Sequence, residues 1–181
     1  MLVVLAQDLD SGIIDYGGSD IKHKNESNMV LEFLDFYREN NSSKDKLKYI
    51  VFDSKFTNYE NLRKLDDNNV KFITIRRRGS KIVEQIRNIP KKEWKTIRVE
   101  QSANKKRTIK IFENTVFLKG YAKEIRQIYI TANGKIKPAI IITNDFDKSV
   151  NEIVRKYAKR WLVEKVISEQ IEFFHLNKLS S

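Results

Sequence analysis

Tyr157, Arg160 and Glu164 stand three and four residues apart in the run NEIVRKYAKRWLVEK, 151–165, which contains no Gly or Pro. Helical spacing puts the ring, the guanidinium and the carboxylate on one face. Far upstream, Asp53 closes the apolar run Tyr49-Ile50-Val51-Phe52. A buried strand there would set a carboxylate at the C-terminal edge of a sheet. Two separated acids with a helical arginine suggest metal-dependent phosphoryl chemistry. Blander readings exist for each: an Arg160–Glu164 ion pair within the helix, and an ordinary turn acid at position 53.

These residues need a scaffold, and hydrophobic patterning supplies one. Residues 2–6 and 12–16 flank a turn-like Asp10-Ser11-Gly12 and predict an antiparallel hairpin. Val30, Phe33, Leu34 and Tyr37 recur at helical spacing over 27–38. Thr57 and Glu60 form a capping-box pattern for a short helix ending near Asp67. A strand at 70–75 then joins the Asp53 strand through that helix as a βαβ unit. A helix over 80–87 and a break at Pro90 lead into β-rich sequence. Strands are expected at 96–100, 108–112, 116–119, 125–131 and 139–143, with Asn133-Gly134 as a hairpin turn between the last two. Ser149 with Glu152, or else Asp147, would cap the final helix.

The 181 residues suit one core with an inserted subdomain: 1–78 as the first part of the core, 79–138 as the insertion, and 139–181 as the closing strand and helix. The absence of cysteine excludes disulfides and thiolate metal sites. The apolar start is too short to span a membrane, and Asp8 and Asp10 follow it where a signal peptide would differ, so a soluble intracellular protein with no membrane partner is expected. The formal charge of +11 is uneven: residues 76–137 carry 18 Lys or Arg against 5 Glu. A basic block inside an otherwise balanced chain points to a polyanion on one part of the surface, or to a plain solvated face. Arg76-Arg77-Arg78 and Lys105-Lys106-Arg107 are its densest clusters.

The ordered set Phe52-Asp53-Ser54-Lys55, Phe72-Ile73-Thr74-Ile75-Arg76-Arg77-Arg78 and Tyr157-x2-Arg160-Trp161-x2-Glu164 resembles the DDE transposases of insertion sequences. More narrowly it is similar to the IS-four group, with its Tyr-x2-Arg-x3-Glu-x6-Lys signature. The resemblance implies a ribonuclease H-like α/β fold: a mixed sheet with a basic β-rich insertion between the second and third acids. It implies Asp53 as second acid and Glu164 as third, holding Mg²⁺ or Mn²⁺ near a scissile phosphate. Two such ions about 4 Å apart activate a water or 3′-hydroxyl and stabilise the departing oxygen. Tyr157 and Arg160 would touch the DNA backbone beside them, Arg160 through planar charge-assisted bonds. The insertion, with Arg76, Arg77, Arg78, Lys105, Lys106 and Arg107, would contact double-stranded DNA, both transposon ends and target. A homodimer and a prokaryotic, DNA-associated cytosolic setting go with the family.

Two departures qualify the expectation. Ile171 replaces the signature Lys. In the resembled fold a first acid sits on a strand that is followed by two more strands and a helix before the second acid; only two strands and a helix are expected ahead of Asp53. The sequence therefore reads as a truncated catalytic-domain fragment, incomplete and weakly active or inactive, with Asp8 as an alternative first acid. Asp10, Asp15 and Asp20 read as turn or edge acids, His23 and His175 as surface or packing residues, and Trp94 and Trp161 as packing residues, with Trp94 alternatively stacking on a base. The rival readings are a non-enzymatic basic nucleic-acid-binding module and a ribonuclease H-like nuclease that does not join strands.

Overall fold

The computed structural model describes residues 4–8, 10, 11, 13–18, 23–41, 47–102, 105–131, 138–160, 168 and 172. Strands β1 (Val4–Gln7) and β2 (Ile14–Gly18) form the expected antiparallel hairpin, as a sheet of their own. Helix α1 (Met29–Asn40) follows, burying Val30, Phe33 and Leu34 at the spacing read from sequence.

The main sheet takes its direction from one parallel pair. Strand β3 (Tyr49–Val51) and strand β4 (Lys71–Ile75) run parallel, linked by helix α2 (Tyr59–Asp67). Helix α3 (Ser80–Asn88) leads into β5 (Lys95–Ser102), β6 (Lys105–Leu118), β7 (Lys123–Thr131) and β8 (Ala139–Thr143), and helix α4 (Val150–Lys159) closes the described fold. The six strands are ordered β3-β4-β8-β7-β6-β5, and every neighbour after the first pair is antiparallel. Strands of the basic segment therefore continue the same hydrogen-bonded sheet.

Both sheet faces are covered, so the central strands carry apolar residues on both faces, with Thr74, Arg126, Gln127 and Thr143 as buried polar exceptions. On β4, Phe72 packs with Leu34 of α1 and Leu62 of α2, while Ile73 packs with Ile153 of α4 on the other face. Ile140, Ile141 and Ile142 of β8 alternate likewise and are fully buried. Trp94 packs beside Phe112 and Ile86, the core role expected of it.

Local chemistry departs from expectation at three places. Asn58, not Thr57, caps α2: its carbonyl oxygen accepts the N–H groups of Glu60 and Asn61 at 2.9 and 3.2 Å. Thr57 is drawn away because its hydroxyl contacts the Thr74 hydroxyl at 2.6 Å and the Ile75 carbonyl at 3.1 Å. The strands expected at 108–112 and 116–119 are one continuous β6, since Glu113, Asn114 and Thr115 pair with Ile128, Gln127 and Arg126 without interruption. Strand β3 is half-buried at an edge rather than buried inside the sheet, because no strand pairs with its outer side among the described residues. The two candidate caps of α4 resolve to Ser149, which forms a full capping box with Glu152. The Asn133-Gly134 turn, Asp20, Trp161, Ile171 and His175 lie outside the described residues.

At the far end of the sheet the β6–β7 turn is tight. Gly120 lies so close to α2 that an added Cβ would stand 2.9 Å from Tyr59 Cβ. Ala122 adopts φ 60°, a left-handed conformation that disfavours residues with a Cβ. Ala122→Gly is expected to raise the unfolding free energy by about 1 kcal/mol in urea titrations, as relief of that strain exceeds the added chain entropy.

The β8–α4 loop is held by buried polar groups. Arg126 donates to Glu113 and to the carbonyls of Asp145 and Lys148. Burial acts to raise the Asp145 pKa, but N–H donors from Lys148 and Asp147 hold it below its ordinary value. Asp66, likewise opposed by burial, is held low by Lys123 and Asn144. Depressed folded-state values mean stability that is complete above the unfolded value and lost as pH falls through the folded one. The thermal midpoint should be nearly flat between about pH 7 and 5 and fall steeply below about 4, less steeply in Asp145→Asn.

Candidate active site

The parallel register fixes where the candidate acid lies. Since β3 and β4 point the same way, Asp53 and Arg76, each just past its strand, share one edge of the sheet. Asp53 is extended (φ −79°, ψ 164°) and caps a short 3₁₀ turn, Ser54–Phe56, with Oδ1 accepting the Ser54 N–H at 2.5 Å. Its carbonyl is approached by the Thr74 hydroxyl at 3.4 Å. Arg77 reaches back to the Ser54 and Lys55 carbonyls at 3.3 and 3.4 Å. The loop bearing the carboxylate is thus tied to β4 by side chains.

Helix α4 brings the second component. It starts beside the opposite sheet edge, where Asn144 receives the Phe72 N–H at 2.8 Å, and its ten residues rise about 15 Å. That nearly matches the roughly 16 Å of the five-residue β4, so the helix ends at the Asp53 edge. Arg160 Nη1 lies 3.9 Å from Asp53 Oδ2, with the arginine side chain 15% and the aspartate 37% exposed. The guanidinium also sits 5.3 Å from the centre of the Tyr157 ring, a cation–π distance. The Tyr157 ring, the Arg160 guanidinium and Asp53 are therefore brought together; Glu164 lies outside the described residues.

Asp53 and Arg160 line one cavity of about 510 Å³ between the β1–β2 hairpin and β3. Lys55 and Lys156, which sequence reasoning did not select as site residues, also line it. Lys156 was legible in principle, standing one turn before Arg160 on the same helix. Asp8 and Asp10 share the wall. Asp8 Oδ1 accepts from the Asp10 and Ser11 N–H groups and from the Ser11 hydroxyl, at 3.1, 2.6 and 2.6 Å. The Ser11 hydroxyl and N–H hold its carboxyl below the ordinary value, as suits a turn acid. Asp10 is paired with Lys159 at 2.9 Å.

The other predicted cations divide between the two halves of the sheet. Arg76 is half-buried and donates to the fully buried Gln127 at 2.6 Å; Arg78 is exposed and donates to the Pro138 carbonyl. Lys105, Lys106 and Arg107 begin β6, pairing with Ser102, Glu100 and Val99 of β5. Lys110 is already opposite Thr131, the last residue of β7, so 105–109 run about 17 Å past β7. This two-stranded arm projects from the sheet end that carries Asp53 and Arg76. From β3 to β6 is four strand spacings, roughly 19 Å.

Residues 1–181, the whole chain, match the family model described as Transposase DDE domain. The chain belongs to the DDE transposase family. No curated protein matches it. It is a transposase catalytic domain with a ribonuclease H-like mixed sheet, and its family acts on DNA and generally uses divalent metal ions. The oxygen donors at the cavity suit such ions, which favour carboxylates. Among the described residues no three His, Asp or Glu side chains stand together as a ready metal cage. No helix among the described residues is long and apolar enough to cross a membrane.

A carboxylate placed for function should contribute little to stability. The Asp53–Arg160 pair is long and partly exposed, and asparagine caps as well as aspartate. Asp53→Asn is therefore expected to change the unfolding free energy by less than about 1 kcal/mol in denaturant titrations; a loss above about 2 kcal/mol would make it a structural residue.

Proposed function

We propose that this chain is the DNA strand-cleaving and strand-transferring domain of an insertion-sequence transposase of the IS-four group, working on double-stranded DNA in a prokaryotic cytosol. The observation that carries this reading is the approach of Arg160 to Asp53 at one sheet edge, from elements far apart in sequence. Asp53 and Glu164 would hold the Mg²⁺ or Mn²⁺, which supplies Lewis-acid activation of a water or a 3′-hydroxyl when bound. Arg160, shielded by its aromatic neighbour, would give a phosphate the planar pair of donors that lysine lacks. Tyr157 holds that guanidinium and would meet the DNA backbone beside it. Segment 79–138 would be the DNA-binding insertion, its β5–β6 arm reaching phosphates four strands across the sheet from Asp53 and beyond the end of β7 through Lys105, Lys106 and Arg107. Arg76, Arg77 and Arg78 would serve the phosphates nearer the acid with the N–H groups their protein contacts leave over. Transposon-end and target recognition and a homodimeric assembly belong to the same proposal.

With Asp8 committed to its turn, two acids rather than three would serve the metal, and cleavage is expected to be weak. Binding should nonetheless be strong and largely electrostatic. Replacing Lys105, Lys106 and Arg107 by Ala should reduce the slope of log affinity against log salt by about 2.7, from three lost phosphate contacts. Filter binding across NaCl concentrations measures this, and an unchanged slope removes the arm from the DNA interface. In plasmid nicking with Mg²⁺ or Mn²⁺, trace cleavage should vanish in Asp53→Asn and Glu164→Gln. Robust cleavage lost in Asp8→Asn instead would make Asp8 the further acid. DNA affinity indifferent to metal, with no effect of Glu164→Gln, would favour a non-enzymatic binding module. Hydrolysis without joining of a pre-cut 3′-hydroxyl end would favour a nuclease.

A further inference from the structure

At the Asp53 edge of the sheet one arginine is held by a partner from the sheet interior. Arg76 follows β4, and its backbone N–H donates to the Ile140 carbonyl at 2.8 Å, extending the β4–β8 ladder. Its side chain turns back over β8, where Nη1 donates to Gln127 Oε1 at 2.6 Å. Gln127 stands on β7, two strand spacings or roughly 10 Å from β4, so the two side chains meet above the intervening strand. Register explains the meeting. Thr74 lies opposite Ile142, and Ile142 opposite Gln127, so the amide is on the face that Thr74 and Arg76 share, two residues inward from Arg76.

A wholly buried amide in mid-sheet needs both of its ends bonded. On its strand and face Gln127 falls between Ile125 of the core under α1 and α2 and Tyr129 of the core beside α3, and it is fully buried. Nε2 donates to the Tyr129 hydroxyl at 2.6 Å and to Asn114 Oδ1 at 3.3 Å, leaving Oε1 for Arg76. A guanidinium only donates, so the carbonyl oxygen has to face it. Burial raises the Tyr129 phenol above its ordinary value, although the Arg76 charge opposes this, and the hydroxyl stays protonated. Arg126, beside Gln127 in sequence, shows the contrast: it donates to the Glu113 carboxylate and to two carbonyls, and its charge is consumed by the fold. Among the described residues the Arg76 guanidinium has one hydrogen-bond partner, and that partner is neutral. Its Nε is buried without a partner among those residues, while the residue as a whole is only half-buried. Nε–H and one Nη2–H form the parallel pair that fits two oxygens of an anion. A partly desolvated cation with a single uncharged partner favours an anion at that pair.

We infer that Gln127 is a positioning residue for DNA: it anchors Arg76 by Nη1 and so turns the Nε–Nη2 side of the guanidinium to one phosphate beside Asp53. The inference rests on the reading of the Asp53 edge as the edge that meets DNA. Glutamine suits the task better than glutamate, since a carboxylate at 127 would fix the same side chain but cancel the charge that a phosphate needs. Tyr129 and Asn114 keep the amide from rotating, and neither has to touch DNA.

The test compares Gln127→Met and Arg76→Ala in the full chain by filter binding of a short DNA duplex across NaCl concentrations. Each should reduce the slope of log affinity against log salt by about 0.9, one phosphate contact, although Gln127 carries no charge. The double variant should lose less than about twofold more affinity than either single one, because both remove the same contact. On the unaltered chain, NMR should show the Arg76 Nε–H and the Gln127 carboxamide signals shifting together as duplex is added. That measurement decides should Gln127→Met fail to fold. An unchanged slope in folded Gln127→Met, additive losses in the double variant, or no shift of either signal at saturating duplex would overturn the inference and leave Gln127 a packing residue. Replacement of Lys105, Lys106 and Arg107 by Ala separates this from failure of the underlying reading. A slope reduced by that replacement but not by Arg76→Ala or Gln127→Met overturns the positioning role alone, whereas a slope moved by none of them overturns the DNA-facing edge as well.

Discussion

The parallel pairing of β3 with β4 is the constraint on which the site depends. An antiparallel pairing would have sent Asp53 and the Arg76-Arg77-Arg78 run to opposite edges of the sheet. The short α2 crossover permits the parallel arrangement, and Asn58 starts that helix by capping it. Thr57, released from capping, ties the loop after Asp53 to β4 instead. The length match between α4 and β4 then brings Arg160 to the same edge without any special bend.

Electrostatics sorts the molecule along the sheet. At the Asp53 edge, cations outnumber acids through the arginine run and the β5–β6 arm. At the opposite edge, acids are consumed internally: Asp66 and Asp67 bind Lys123, and Asp145 holds the loop that starts α4. Arg126, nearly buried, donates to one carboxylate and two carbonyls there, an arrangement that is costly to break because it would strand buried groups. The structural ion pairs and the candidate chemistry therefore sit at different ends, so changes at one end leave the other largely intact.

The hairpin, α1, the βαβ unit and the Ser149 cap were legible because each rests on local pattern: apolar alternation, helical spacing, and a serine three residues before a glutamate. Asp53 and Arg160 were legible as types and positions, but their 3.9 Å approach is a tertiary fact that depends on matched element lengths. The continuity of β6 was not legible, since Glu113-Asn114-Thr115 looks like a break until β7 pairs with it. Thr57 and Asn58 are adjacent cap formers, and only the hydroxyl partners on β4 decide between them. The engagement of Arg76 with Gln127 was equally hidden, because a charge run in sequence carries no sign of which members face a buried amide.

One sheet edge, the one carrying Asp53, is the edge proposed to face DNA. Amide chemical-shift mapping of the chain titrated with a short duplex in the presence of Mg²⁺ tests it most directly. Perturbations should concentrate at 53–55, 76–78, 105–107 and 157–160, with the β6–β7 turn around Gly120 and Ala122 unmoved. Perturbations centred on Lys119 and Lys123 at the opposite edge, with Asp53 and Arg160 unaffected, would contradict it.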